Sequence, residues 1–263
     1  MRKKIKLVVT DIDGTLMPIN GNLPSPVKET FEKLQKKGIK VVLATGRMYP
    51  AAEPVRQELK LDTPIICYQG AMIRDENNIY FEQNVPKQIA AEIIQHIRSY
   101  NAHTNLYLRD RLIVENDDKY IKEYAGDRDL KYEVVSDLLD VVNDATKLLA
   151  IHEDSGLVTK IRDDMIKTYP NLNIVKSTDY YCEFVNPNAD KGLAIKFLAE
   201  KWGIKQDEIL AIGDQDNDIR MLQAAGTSVA MGNGSENIKK IADHICPTVS
   251  EYGFKTAMEE LVL

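Results

Sequence analysis

The alternation of apolar and polar positions divides the chain into three stretches. Residues 5–10 (IKLVVT) form a largely apolar run, as expected of a strand covered on both faces. Residues 25–37 predict a helix. Ser25 is placed as its N-cap, Pro26 at its first position, Val27, Phe31 and Leu34 along one face, and Gly38 as its stop. A strand over 39–44, a helix over 50–60 and a strand over 64–68 follow. Strand–helix–strand units at this spacing call for a parallel sheet with right-handed crossovers. The last third repeats the pattern: helix 190–202, with Leu193, Ile195, Phe197 and Leu198 as its apolar surface, strand 208–212, helix 216–225, strand 227–231, helix 235–242 and a final helix over about 251–262.

The middle stretch reads differently. Helix 87–100 precedes two short strands, 104–108 and 111–115, around Arg109-Asp110. Helix 117–124, strands 131–135 and 146–152, helix 155–168, and strands 172–176 and 180–185 complete it. Paired short strands between helices predict an α+β module with an antiparallel sheet. The expected organisation is therefore a doubly wound α/β core, mostly parallel, from residues 1–82 and 188–263. Residues 83–187 are read as an inserted α+β cap, near the size of a small domain.

Composition narrows the function classes. The 263 residues are 44% hydrophobic and 28% charged, ordinary for a globular chain with a real core. A net charge of −6 speaks against nucleic acid as a partner, though a local site can still be positive. Cys67, Cys182 and Cys246 lie far apart without zinc spacing, which predicts buried thiols in a reducing compartment. The opening Met1-Arg2-Lys3-Lys4 leads into too short an apolar run for a signal peptide, and no stretch approaches the ~20 apolar residues of a membrane span. The expectation is a soluble, cytoplasmic protein, a monomer or small homo-oligomer, with no membrane partner.

Candidate chemistry sits at the predicted strand ends. Asp11-Ile12-Asp13-Gly14-Thr15 follows the first strand directly. Two carboxylates at the end of a buried strand are costly unless paired, and with no cationic side chain next to them in sequence they suggest a hard cation. Gly14 allows a tight turn that Thr15 can hold. Thr45-Gly46-Arg47 ends the second strand with a hydroxyl and a backbone N–H suited to phosphate oxygens. Lys191, in Asn188-Ala189-Asp190-Lys191-Gly192, opens a helix and adds positive charge to its N-terminal end. Gly213-Asp214-Gln215-Asp216-Asn217-Asp218 repeats the acidic logic at another strand end.

The DIDGT, TGR, DKG and GDQDND segments, in this order, resemble the four motifs of the haloacid dehalogenase-like hydrolases. The large insertion between the second and third motifs resembles that of the Cof-type phosphatases, and the likeness spans nearly the whole chain. The resemblance implies a magnesium-dependent phosphatase. It implies that Asp11 is the nucleophile forming an aspartyl-phosphate and also a metal ligand. It implies that Asp13 is the general acid and base, giving its backbone carbonyl to the metal, and that Asp214 is the remaining carboxylate ligand. Thr45, Gly46 and Lys191 resemble the phosphate holders, with Ile12 beside them. Asn217 resembles a further phosphate-binding residue, and Asp218 an outer ligand that acts through water or orients Lys191.

The roles are physically consistent. A carboxylate attacking a phosphate dianion meets repulsion, so cations must neutralise the phosphoryl oxygens. An acid–base residue at Asp13 favours rapid hydrolysis of the phosphoenzyme. Small phosphate esters are the expected substrates, sugar phosphates first, with pyridoxal phosphate and flavin mononucleotide as alternatives. The rivals are a sugar phosphomutase, separated by phosphate release, and a non-catalytic phosphometabolite sensor.

Plainer readings hold for other residues. Arg47 can brace its loop, and Asp190 and Asp216 read as capping or solvated groups. His96, His103, His152 and His244 share no motif, and Trp202, Tyr180 and Tyr181 read as packing residues. Gly232-Asn233-Gly234 lacks the pattern of a P-loop. In strand 180–185, Tyr181, Glu183 and Val185 share a face opposite Cys182, Phe184 and Asn186. Glu183, an acid in an apolar strand, is expected to face the cleft and accept hydrogen bonds from leaving-group hydroxyls.

Overall fold

Strand Leu7–Thr10 pairs in parallel with Lys40–Leu43 on one side and with Ile209–Gly213 on the other. Thr227–Ala230 and His244–Ile245 extend the second side into a five-stranded parallel sheet. The computed structural model describes residues 4–19, 21–126 and 129–263, so residues 1–3, part of the opening read above for a signal peptide, lie outside the described residues. Both faces of this sheet are covered. Leu7 and Val9 pack with Ile195, Leu198, Met221 and Leu222 from the following helices. Val8 points the other way, into a cluster with Val27, Phe31, Leu34 and Phe254. Phe31 stacks on Phe254 with ring centroids 5.0 Å apart, which ties the helix Ser25–Lys36 to the last helix, Gly253–Leu261. Continuous apolar strands thus became a doubly covered parallel sheet, as their pattern requires.

The middle of the chain builds a separate six-stranded sheet. Its order is Asn173–Thr178, Tyr181–Val185, Lys147–Ile151, His103–Leu108, Arg111–Val114 and Glu133–Val134. All neighbours are antiparallel except the last pair. Leu106, Leu148, Cys182 and Phe184 face two helices, Lys87–Ser99 and Ser155–Thr168, through Ile93, Ile97, Ile161 and Met165. Tyr107, Leu149 and Val185 on the opposite face join the apolar cluster of the parallel core. One face of this sheet therefore looks onto the core, and that is where the cleft forms. Among the described residues, no helix is long and apolar enough to cross a membrane.

Several elements depart from the sequence reading. The strand expected over 64–68 is Ile65–Cys67, the first of a small antiparallel sheet with Met72–Arg74 and Ile79–Glu82. A parallel bridge between Ala44 and Ile66 links it to the edge of the main sheet. The chain reverses there because Tyr68, Gln69 and Gly70 adopt successive positive φ angles of 53°, 59° and 95°. Pro24, not Ser25, caps the first helix, so Ser25 and Pro26 are its first two residues. The helix expected over 216–225 begins as a 3-10 turn, Asp216–Asp218, before Ile219–Ala224. Leu193, expected in the apolar surface, is 40% exposed.

Candidate active site

Parallel register brings the motifs together. Thr10 lies opposite Leu43 on one neighbour and Ile212 on the other, so three strands end level. Asp11, Thr45 and Asp214 leave the sheet at that common edge. The Asp11 N–H donates to the Ile212 carbonyl at 3.1 Å, fixing the first residue past the strand. Gly14 then turns at φ 79°, and a Cβ there would stand 2.3 Å from Asp214 Oδ2. The glycine is thus what lets the first motif close on the fourth. Thr15 Oγ1 donates to Asp214 Oδ1 at 3.1 Å, and Gln215 Nε2 to Asp214 Oδ2 at 3.1 Å.

Lys191 opens the helix Lys191–Trp202, where Asp190 caps the Leu193 N–H at 2.7 Å, as read from the sequence. The lysine is fully buried. Its ammonium lies 2.7 Å from Asp11 Oδ1 and 2.6 Å from Asp218 Oδ1. Asp218 is itself fixed by the N–H groups of Asp214 and Gln215, at 3.0 and 3.3 Å. The sequence showed no cation next to the first motif; the fold supplies one from 180 residues away.

Charge is not balanced here. Burial pushes the Asp11 carboxyl well above the usual carboxylate range; Lys191 pulls it back, while Asp218, Asp214 and Asp13 push further upward. Burial, then the Asp218 charge, pushes Asp214 up to about 7, against hydrogen bonds from Gln215 and Thr15 and the charge of Lys191. Burial works against the Lys191 ammonium, yet Asp11 and Asp218 hold it above the ordinary lysine value. Asp11, Asp214 and Asp218 each offer an oxygen within 4.8 Å of the others. All-oxygen donors with surplus buried negative charge fit a small divalent cation.

A cleft of 530 Å³ opens between this edge and the facing sheet. Asp13 borders it with its carboxylate engaged by Arg47, whose Nε and Nη2 donate to its two oxygens at 2.8 and 2.5 Å. Arg47, read as a loop brace, thus holds the second carboxylate of the first motif. Thr45 is buried and accepts the Arg47 N–H at 3.1 Å, and Gly46 lines the cleft. The Ile12 side chain belongs to the apolar core, which leaves any part in phosphate binding to its backbone N–H. Asn217 lines the cleft, and Asp216 accepts from Asn237 Nδ2 at 2.9 Å on the surface.

Glu183 does line the cleft, but both its oxygens are engaged. Lys147 Nζ reaches Oε2 at 2.9 Å and Gln69 Nε2 reaches Oε1 at 3.2 Å. Burial alone would raise its carboxyl; Lys147, Ser177 and Gln69 hold it below the ordinary value. The expected acceptor for leaving-group hydroxyls is therefore met in placement and already satisfied within the protein. Lys147 also donates to the Gly46 carbonyl at 2.9 Å and sits 4.8 Å from the centre of the Tyr107 ring. Lys147 and Gln69 were missed from sequence. The signal for Lys147 was a lone charge in the strand KLLAI, the counterpart of Glu183 in YCEFV.

Comparison with known proteins agrees with this geometry. A family model described as haloacid dehalogenase-like hydrolase matches residues 8–258. The Bacillus subtilis protein named 5-amino-6-(5-phospho-D-ribitylamino)uracil phosphatase YitU is 26% identical, over 99% of this chain and 98% of its own. Phosphatase YwpJ of the same organism is 27% identical, over 98% of this chain and all of its own. The crystal structure of a haloacid dehalogenase-like hydrolase from Bacteroides thetaiotaomicron superposes with a TM-score of 0.88 at 30% identity, covering 98% of this chain and 99% of that one.

Proposed function

The chain belongs to the haloacid dehalogenase-like hydrolases and is a phosphatase of that family, and we propose that it depends on magnesium, forms an aspartyl-phosphate on Asp11 and hydrolyses small phosphate monoesters, sugar phosphates first. The observation that carries this reading is the Lys191 ammonium between Asp11 and Asp218, with an Asp214 oxygen within 4.8 Å of both carboxylates. It supports a nucleophile, a buried positive charge for a phosphoryl group and a cation site at one strand edge. Magnesium, when bound, supplies positive charge that favours an ionised Asp11 and draws electron density from the phosphoryl oxygens.

The chain's own groups carry the steps. An Asp11 oxygen attacks phosphorus as the bond to the leaving oxygen breaks, and Asp13 gives that oxygen its proton. Asp13 then takes a proton from water as the water oxygen attacks the phosphoenzyme, returning Asp11 and releasing phosphate. Lys191, Thr45, Asn217 and the N–H of Gly46 hold the phosphoryl oxygens. Residues 83–187 would select the leaving group. The relative YitU is named for a phosphorylated ribityl compound, which supports a polyhydroxylated leaving group here.

A second substrate reading has its own observation. Tyr124 and Tyr181 both line the cleft and meet edge to face at 5.8 Å, a wall suited to a flat ring. This favours pyridoxal phosphate or flavin mononucleotide as the alternative. The deciding experiment is phosphate release from a panel of phosphorylated metabolites and an aryl phosphate, with magnesium and then with chelator. Release that chelator stops and magnesium restores supports the proposal. Phosphoryl transfer to sugar without phosphate release would mark a mutase, and no turnover of any ester would reject catalysis.

A further inference from the structure

Gln69 occupies a costly position. It is 3% exposed, and its backbone lies at φ 59°, ψ 24°, directly after Tyr68 at φ 53°. Two successive side-chain-bearing residues in the left-handed region persist only where their surroundings fix them. The surroundings here are specific. The Gln69 N–H donates to the Thr45 carbonyl at 3.1 Å. Its amide fills the space that a side chain at position 46 would need, since a Cβ on Gly46 would stand 2.3 Å from Gln69 Nε2.

The amide joins two walls of the cleft. Its Oε1 accepts from Asn217 Nδ2 at 2.9 Å, on the parallel core. Its Nε2 donates to Glu183 Oε1 at 3.2 Å, on the core-facing side of the six-stranded sheet. The same Glu183 pairs with Lys147, which donates to the Gly46 carbonyl at 2.9 Å. Asn217, Gln69, Glu183, Lys147 and Gly46 therefore form one hydrogen-bonded course from core to sheet and back. Its two ends are groups proposed above to hold the phosphoryl oxygens. A neutral side chain with an acceptor at one corner and a donor at the other is what a bridge between an amide N–H and a carboxylate requires.

We propose that Gln69 is a positioning residue that couples docking of the six-stranded sheet to the placement of Asn217 and Gly46 for the phosphoryl group. The inference rests on the phosphatase reading for its kinetic consequence, but the coupling itself is a statement about geometry. When the sheet seats its Lys147–Glu183 pair against Gln69, the amide is held in the one orientation that also receives Asn217. With the sheet displaced, Gln69 and Asn217 lose that shared constraint.

The test uses a pair of exchanged groups in the full chain. Gln69→Glu keeps the size and the acceptor for Asn217 but sets a second carboxylate against Glu183. Turnover of an aryl phosphate should fall about ten- to a hundredfold. Adding Glu183→Gln restores one amide and one carboxylate with the hydrogen bond reversed, and most of the rate should return. The second readout needs no turnover. Spin labels on Lys36→Cys in the core and Lys167→Cys on the facing module both sit at exposed positions, and the three native cysteines are buried. Their distance distribution should broaden in Gln69→Glu and narrow again in the double variant. An unchanged distribution in Gln69→Glu, or a double variant no better than the single one in either readout, overturns the coupling. A wild-type protein that turns over no phosphate ester overturns the phosphatase reading instead, and the distance measurement still decides the coupling.

Discussion

Replacing Asp214 with asparagine should make the metal-free protein more stable, and the gain should grow with pH. Asp214 is buried beside Asp218 and raised from 3.8 to about 7 in the fold. Between those values the folded state binds a proton that the unfolded state has released, so this group's contribution falls as pH rises and is fully unfavourable above about 7. Holding that carboxylate ionised at pH 8 costs about 4 kcal/mol at 1.36 kcal/mol per tenfold change in acidity. Asparagine keeps an acceptor for Thr15 and removes the charge. Because the Asp11 carboxyl is held above its ordinary range by the same cluster, about half of that cost, ~2 kcal/mol, is the gain expected. At ~2–4 °C per kcal/mol for a chain of this size, the melting temperature should rise several degrees at pH 8 and much less at pH 5. The assay is thermal unfolding of both proteins in chelator across that range. Magnesium should then stabilise the wild type by mass action and the variant far less. A variant equally or less stable at pH 8 in chelator, or a difference that shrinks as pH rises, would refute the account of a surplus buried charge.

Three further outcomes follow from the same geometry. Asp11→Asn should abolish phosphate release in a folded protein, because the replaced group ends a strand and supports no core packing; circular dichroism and a phosphate assay check both halves. Asp13→Asn should slow turnover by ~10²–10⁴-fold and, with a good leaving group, trap phosphoenzyme in rapid quench, since the second step loses its base. Lys147→Met should strand Glu183 as an unpaired buried carboxylate and cost about 3–5 kcal/mol in denaturant unfolding at pH 7. The sign with pH is opposite to that of Asp214: Glu183 lies below its ordinary value in the fold, so its stabilising contribution is present above about 4.5 and lost as pH falls.

What the sequence made legible was local. The helix 155–168 lies where its periodicity put it, and the strand-end carboxylates emerged together because each strand's own apolar run fixed where it stops. The hairpin of Met72–Arg74 and Ile79–Glu82 was invisible because strands of three and four residues carry too little alternation to count. The partners of the charged groups were hidden for a different reason. Gln69 meets Glu183 across 114 positions, and Lys147 meets Gly46 across 101. No spacing rule reaches that far. Yet a lone lysine in one apolar strand and a lone glutamate in another were each too costly to bury unpaired, so each implied a partner it did not name.

That pairing also bears on what the cleft receives. Along the wall opposite Asp11 the charges are matched within the protein. Lys147 is neutralised by Glu183, Arg162 donates to Asp163 at 2.7 Å, and Lys176 donates to Ser155 and Thr159 hydroxyls at 2.9 and 3.1 Å, with Asp179 3.5 Å away. The charge imbalance lies on the floor instead, where Asp11, Asp13, Asp214 and Asp218 face Lys191 and Arg47. A second phosphate placed against Lys147 would have to draw that ammonium away from the buried Glu183 it already holds, and would lose there much of what it gains. A neutral leaving group rich in hydroxyls meets no such penalty, because it can add hydrogen bonds to groups whose charges stay paired. The division of labour, charge on the floor and neutral polar contacts on the wall, is what favours the proposed sugar phosphates over bisphosphates.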